Sequence, residues 1–165
     1  MTNVEFCELL KDSIEETSIA AKGQKFEFFF ENFMAQQDGF VFVDRHCRSK
    51  VGEIDYFYRN QHKDHPLWKS YDYVFIECKN WKDKISSKEL NHFIMLLKAK
   101  NIFKCVGIYL TTNSLSPEAH ETVRASRRAE NVLVIPLEKS ILPKLIESGF
   151  KTYLEKEFDK IVAKA

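Results

Sequence analysis

The sequence predicts an α/β fold: a mixed central sheet, antiparallel at its start and parallel beyond, flanked by helices. Three observations predict it. Phe26, Phe29, Phe30 and Phe33 recur at spacings of three and four, the stripe of a helix that buries one face. The runs FVFVD (40–44), GEIDYFYR (52–59) and YVFIECKN (73–80) follow with no helical period between them. Beyond residue 87, helix-length amphipathic segments alternate with short apolar runs, the order that yields right-handed crossovers between parallel strands.

In chain order, Val4, Cys7, Leu10 and Ile14 mark a first helix over 3–22, punctuated by Gly23. The phenylalanine stripe gives a second, KFEFFFENFMAQQ (25–37), closed by Asp38-Gly39. The three strands come next, with a polar loop at 60–72 holding Pro66. Ser86 or Ser87 caps a helix over 87–101 with Leu90, Phe93, Ile94 and Leu97 as its stripe. CVGIYLTTN (105–113) is a strand, and Ser116-Pro117 opens a helix to about Arg128, with serine as N-cap and proline in the first turn. NVLVIPL (131–137) is the last strand, and 139–164 reads as one or two helices interrupted near Pro143 and Gly149. The order is α-α-β-β-β-α-β-α-β-α in a single domain.

Composition excludes several classes. At 165 residues and 44% apolar content, with 14 phenylalanines, the chain is globular rather than disordered. No apolar run approaches the ~18 residues of a membrane span. The start, MTNVEFCELLKDSIEE, lacks the basic and apolar regions of a signal peptide, so a cytoplasmic location is expected. Cysteines at 7, 47, 78 and 105 form no C-x-x-C pair, and Cys47 with His46, His62 and His65 fits no structural zinc spacing. The net charge is +1, so an anionic partner must be met by local patches. Those are RHCRSK (45–50), KNWKDK (79–84) with Lys88, and RASRR (124–128).

One strand carries charge where it is expected to be buried. Alternation puts Glu77 and Lys79 on one face, roughly 7 Å apart at Cα, and Val74, Ile76 and Cys78 on the other. On the preceding strand Asp55 shares a face with Glu53 and Phe57, while Ile54, Tyr56 and Tyr58 point away. If the two strands pair as a hairpin, Asp55 lies beside Glu77. Two carboxylates that repel each other hold their charge best around a hard cation. Magnesium takes one or two carboxylates together with waters and a phosphate. A lysine two residues from one ligand can orient or deprotonate an attacking water and offset transition-state charge. The residue types are those of metal-assisted phosphodiester hydrolysis, where an isolated E-x-K would be a surface salt bridge.

G52-E53-I54-D55 followed by E77-C78-K79 resembles the PD-(D/E)XK nuclease superfamily, the restriction-endonuclease-like fold, and is most similar to its Mrr-like restriction endonucleases. The similar phrases are KGQKFEFFFENFM (22–34), VGEIDYFY (51–58), VFIECKNWK (74–82), VGIYLTTNSLSPEA (106–119) and NVLVIPL (131–137), spanning roughly 22–138. The resemblance implies an αβββαβ catalytic core over 23–138, a helical extension at 1–22 and added helices at 139–165. It implies that Asp55 and Glu77 ligate magnesium, with manganese as a substitute, that the Cys78 carbonyl adds an oxygen, and that Lys79 serves the nucleophilic water. It also implies a glutamate on the first core helix, acting directly or through a water. Glu27 and Glu31 compete: Glu27 lies about 110° and Glu31 about 150° from the centre of the phenylalanine stripe. Glu27, nearer the buried edge and within G-x-x-F-E, is preferred. Many Mrr-like members carry glutamine where this chain has Glu77, which makes this site more anionic.

The remaining expectations are coarser. Arg45, Arg48, Lys50, Lys82, Lys84, Asn91, Lys98 and Thr112, with Thr111 and Asn113, are candidates to meet DNA. Specificity is expected from loops such as 45–50 and 60–72. Trp81 is expected to pack rather than stack on bases, Cys78 to fill the core, and His92 and His120 to lie on helix surfaces. The resemblance implies a DNA endonuclease of host defence, either a restriction enzyme or the nuclease module of an antiphage effector. It is expected to act as a homodimer or higher oligomer, or fused to a sensor domain, with the helices 3–22 and 139–164 as dimer surfaces or attachment points. The ending KIVAKA would suit an excised domain. A transposon-end, junction or RNA nuclease of the same fold, and a non-catalytic DNA-binding or assembly module, are the alternatives.

Overall fold

A computed structural model describes residues 1–100 and 104–165. Its elements are α1 (Asn3–Glu15), α2 (Ile19–Ala35), β1 (Phe40–Ser49), β2 (Gly52–Asn60), α3 (Pro66–Ser70), β3 (Tyr73–Lys79), α4 (Ser87–Ala99), β4 (Cys105–Thr111), α5 (Pro117–Glu130), β5 (Val134–Leu137), α6 (Leu142–Ser148) and α7 (Phe150–Ala163). The five strands form one sheet in the order β1-β2-β3-β4-β5. β1, β2 and β3 pair antiparallel, whereas β3, β4 and β5 pair parallel. The mixed α/β architecture expected from the sequence is present. Asn101, the last position of the expected helix 87–101, lies outside the described residues.

Two apolar layers sandwich the sheet. On one face Phe26, Phe29, Phe30 and Phe33 of α2 pack with Phe6, Leu10, Leu142, Leu145, Phe150 and Leu154 over Tyr56, Val74, Ile76 and Ile108. Burying each such side chain contributes about 1.5–3 kcal/mol relative to exposure. On the other face Leu90, Phe93, Leu97 and Val123 of α4 and α5 pack over Phe75, Tyr109 and Val134. Gly107 lets α4 approach: a Cβ there would stand 2.5 Å from Leu97 Cδ1 and 2.9 Å from Phe93 Cε1.

The ends of the chain differ from the sequence reading. The first break falls at 16–18, not at Gly23. The Glu16 carboxylate accepts from the N–H groups of Thr17 and Ser18 at 2.8 and 3.0 Å, and the Ser18 hydroxyl accepts from Ala21 N to start α2. Gly23 lies inside α2, so a boundary at 22/23 cuts a continuous helix. α1 buries Phe6, Leu10 and Ser13, while Val4 and Cys7 are exposed. At the other end α7 buries Phe150, Tyr153 and Leu154, while Val162 is exposed.

Two further corrections concern the first hairpin and its return. β1 runs to Ser49, so Arg45 and Arg48 sit on a strand rather than in a loop. The segment 60–72 contains α3, which begins at Pro66 and buries Leu67 and Trp68. Asn60 anchors it, donating through Nδ2 to the Trp68 and Tyr71 carbonyls at 3.0 and 2.9 Å.

Candidate active site

The site forms where β2 parts from β3. Their paired register runs from Arg59↔Tyr73 to Tyr56↔Ile76, and continuing it would set Asp55 opposite Glu77. A register irregularity in β1 between Phe42 and Asp44 sharpens the twist of the β1–β2 ribbon. The hairpin tip then curls over α4. Gly52 sits there at φ +146°, and a Cβ would stand 3.0 Å from Leu96 Cδ2. This curl also corrects the expected alternation: Ile54 packs with the α4-side cluster, while Tyr56 and Tyr58 remain in the other layer.

In the gap the Asp55 side chain replaces a strand partner. Its Oδ2 accepts from the Cys78 N–H at 2.8 Å. Burial raises the Asp55 carboxyl above its ordinary value, against the opposing pull of that hydrogen bond and of Lys79. Glu77 is 7% exposed. Its Oε1 lies 2.5 Å from Lys79 Nζ. Its Oε2 is buried without a hydrogen-bond partner. Burial, then the Asp55 charge, pushes Glu77 up to about 7. Burial pulls the Lys79 ammonium down, but Glu77 and Asp55 outweigh it, and the group ends above its ordinary value. The Cys78 side chain turns to the opposite layer, beside the α2-side core.

Glu27 and Glu31 of α2 separate clearly. Burial and then the nearby Asp55 charge raise Glu27. Glu31 instead accepts from the Tyr56 hydroxyl at 2.9 Å and pairs with Arg45 Nη1 at 3.1 Å. Arg45 Nη2 also lies 3.7 Å from Glu27 Oε2, so this arginine is held by α2 carboxylates. Arg48 is exposed and donates to Glu53 at 3.1 Å. Lys50, Lys82, Lys84 and Asn91 are exposed. Lys98 pairs with Glu130 at 2.8 Å.

Thr112 does not line an open cleft. It is 5% exposed and donates to Asn80 Oδ1 at 2.6 Å. Thr111 is fully buried, and Asn113 donates to the Lys82 carbonyl at 2.5 Å. Asn80 is a positioning residue that the sequence reading left without a role. Its Nδ2 donates to the carbonyls of Ser13 and Lys22 at 2.8 and 2.9 Å, tying α1 and α2 to the end of β3. Trp81 is 44% exposed rather than packed, with Lys79 Nζ 5.5 Å from its ring centroid. A cleft of about 360 Å³ opens beside Glu77 and Lys79, bounded also by Glu53, Trp81, His92, Phe93 and Tyr109. Tyr109, Glu53 and His92 join the site through tertiary structure. β4 register sets Tyr109 next to Glu77, and the hairpin curl brings Glu53 over α4.

Among the described residues no three His, Cys, Asp or Glu side chains form a ready-made metal cage. The donor set still suits a hard cation. It consists of carboxylate oxygens, and the buried Oε2 of Glu77 is an acceptor with nothing to accept from. No helix among the described residues is long and apolar enough to cross a membrane.

Comparison with known proteins identifies the family of the chain. A search of curated proteins found no match. Among solved structures, an EndoMS–dsDNA complex aligns at 19% identity and a TM-score of 0.45, covering 76% of this chain and 48% of that one. A repair endonuclease from Pyrococcus abyssi aligns at 20% identity and a TM-score of 0.44, covering 75% and 48%. The MspJI restriction endonuclease with an oligonucleotide aligns at 18% identity and 0.39, covering 84% and 26%. The chain thus spans about half the length of the first two or less. The model of the Mrr catalytic domain, described as restriction endonuclease, matches residues 19–139, from the first residue of α2 to just past β5. The chain belongs to the restriction endonuclease family of the Mrr catalytic type.

Proposed function

We propose that this chain is a metal-dependent endodeoxyribonuclease whose site is Asp55, Glu77 and Lys79, assisted by Glu27. The observation that carries the reading is Glu77: a buried carboxylate with one oxygen on Lys79 and the other unpartnered. Leaving a buried charged acceptor unsatisfied is costly, and a structural salt bridge alone would not require it. A divalent cation supported by Asp55 and Glu77, with the Cys78 carbonyl and, directly or through a water, Glu27, removes that cost. Magnesium is the natural ion for an all-oxygen set, with manganese as a substitute. When bound, it supplies Lewis-acid polarisation of a phosphoryl oxygen and a more acidic water.

The chain's own residues do the rest. Asp55 is fixed through Oδ2 by the Cys78 N–H, beside the strand that carries Glu77 and Lys79. Lys79 remains an ammonium at neutral pH, so its Nζ acts as a hydrogen-bond donor that positions the attacking water and offsets phosphoryl charge. Arg48, Lys50, Lys82 and Lys84 are exposed and suit phosphate contacts. Family membership supports a role in defence against foreign DNA, as a restriction enzyme or an effector module. One such site cuts one strand, so double-strand cleavage calls for a dimer or successive nicks.

The substrate class is tested by incubating end-labelled DNA and RNA strands of one sequence with the protein and magnesium. Cutting of DNA at internal positions, lost on adding EDTA, is expected. Cutting of RNA alone would replace this reading with a ribonuclease of the same fold.

A further inference from the structure

We propose that the cleft beside Glu77 and Lys79 is a subsite for one unstacked nucleobase, with the Trp81 indole as its stacking wall and the Tyr109 hydroxyl as its polar contact. The inference rests on the nuclease reading above and adds what the substrate must look like at the site. Among the described residues, the buried side-chain polar atoms without a partner are Glu77 Oε2 and the Tyr109 hydroxyl. Both residues line this one cleft. A cation would satisfy the first of these atoms and leave the second. Tyr109 is 1% exposed and lines the cleft, so its hydroxyl offers a group entering there an unclaimed donor and acceptor.

The shape and chemistry of the cleft select a base. Its volume of about 360 Å³ lies at the small end of the range for small-molecule sites. It cannot hold a duplex, whose major groove alone is about 12 Å wide. Phe93 and Leu96 make its floor apolar, and Lys88 and His92 stand at its rim. Trp81 is 44% exposed two residues beyond Lys79, whose Nζ lies 5.5 Å from the ring centroid. An exposed indole next to a phosphodiester-cleaving lysine is a stacking platform, and every base has a face that can stack. The Tyr109 hydroxyl both donates and accepts, so it can meet any base edge. Bases inside an intact duplex are already stacked, so the occupant is a base from a single strand, or one extruded beside the scissile phosphate.

The protein carries its own probe. Trp68 is fully buried and donates to Glu155 at 2.8 Å, so a change in tryptophan emission on binding reports Trp81. The experiment titrates a short single-stranded oligodeoxynucleotide, and an abasic oligomer with the same phosphates, into the protein in EDTA. Emission is followed alongside anisotropy of the labelled strand. Expected are quenching by the base-bearing strand only, binding weakened about tenfold by Trp81→Ala, and near-recovery in Trp81→Phe. Tyr109→Phe should weaken binding several-fold while leaving the melting temperature equal or higher, which a purely structural tyrosine would not do. Equal binding of both oligomers without quenching would overturn the base subsite while leaving the nuclease standing. Absence of any binding, together with no DNA cleavage in magnesium, would overturn both.

Discussion

Replacing Glu77 with glutamine should stabilise the fold at alkaline pH. Burial and the Asp55 charge carry the Glu77 pKa from its ordinary 4.5 to about 7. Below pH 4.5 both folded and unfolded chains hold the proton, and the burial of this carboxyl carries no charge penalty. Between pH 4.5 and about 7 the unfolded chain has released the proton while the folded chain keeps it, so stability falls as pH rises. Above that window the loss is complete. It amounts to about 3 kcal/mol at about 1.4 kcal/mol per pH unit. Glutamine mimics the protonated side chain and never meets this cost, while its carbonyl can still accept from Lys79. Urea unfolding at pH 5 and pH 8.5 measures the difference. The two proteins should be close in stability at pH 5, and Glu77→Gln should be more stable by about 3 kcal/mol at pH 8.5. Parallel loss of stability in both proteins, or a less stable variant at pH 8.5, would refute the argument that Glu77 is held at a cost.

The remaining predictions follow from the same geometry. Magnesium competes with the proton on Glu77, so the concentration giving half-maximal cleavage should fall as pH rises through about 7, read from cleavage rates across a magnesium series. Glu27→Gln should slow cleavage about 10-fold to 100-fold, whereas Glu31→Gln, on the residue bound by Tyr56 and Arg45, should change it far less, by about twofold. Asn80→Ala strands the Ser13 and Lys22 carbonyls and frees the α1–α2 junction, so chemical denaturation should show a loss of about 3 kcal/mol.

Most of the architecture was legible because its signals are local. The phenylalanine stripe of α2, the apolar runs of β3 and β4, and Ser116-Pro117 at the start of α5 each declare an element through neighbours on the chain. The association of Asp55 with the Glu77–Lys79 strand was legible too, since a hairpin register is read by counting. What was missed depends on tertiary structure. Gly23 looked like a helix stop, but the carboxylate of Glu16 and the hydroxyl of Ser18 make the real one. The polar segment 60–72 hid α3 because Leu67 and Trp68 are its only large apolar side chains between charged and polar neighbours. Arg45 read as a phosphate contact, yet two glutamates of α2 claim it across the hairpin. Thr112 looked like a strand-end polar group facing a cleft, when its partner is Asn80. Tyr109 carries no sequence signal at all. Its importance comes from a parallel register that sets it beside Glu77.

The central claim is that Asp55, Glu77 and Lys79 form one metal-dependent phosphodiesterase site. The most direct measurement is cleavage of supercoiled plasmid by wild type, Asp55→Ala and Lys79→Ala in magnesium, manganese or EDTA. The account predicts nicked or linear product from wild type with either metal, none in EDTA, and none from either variant, with both variants folded by circular dichroism. Cleavage that persists in the variants, or wild-type protein that leaves the plasmid intact in both metals at high concentration, would contradict it.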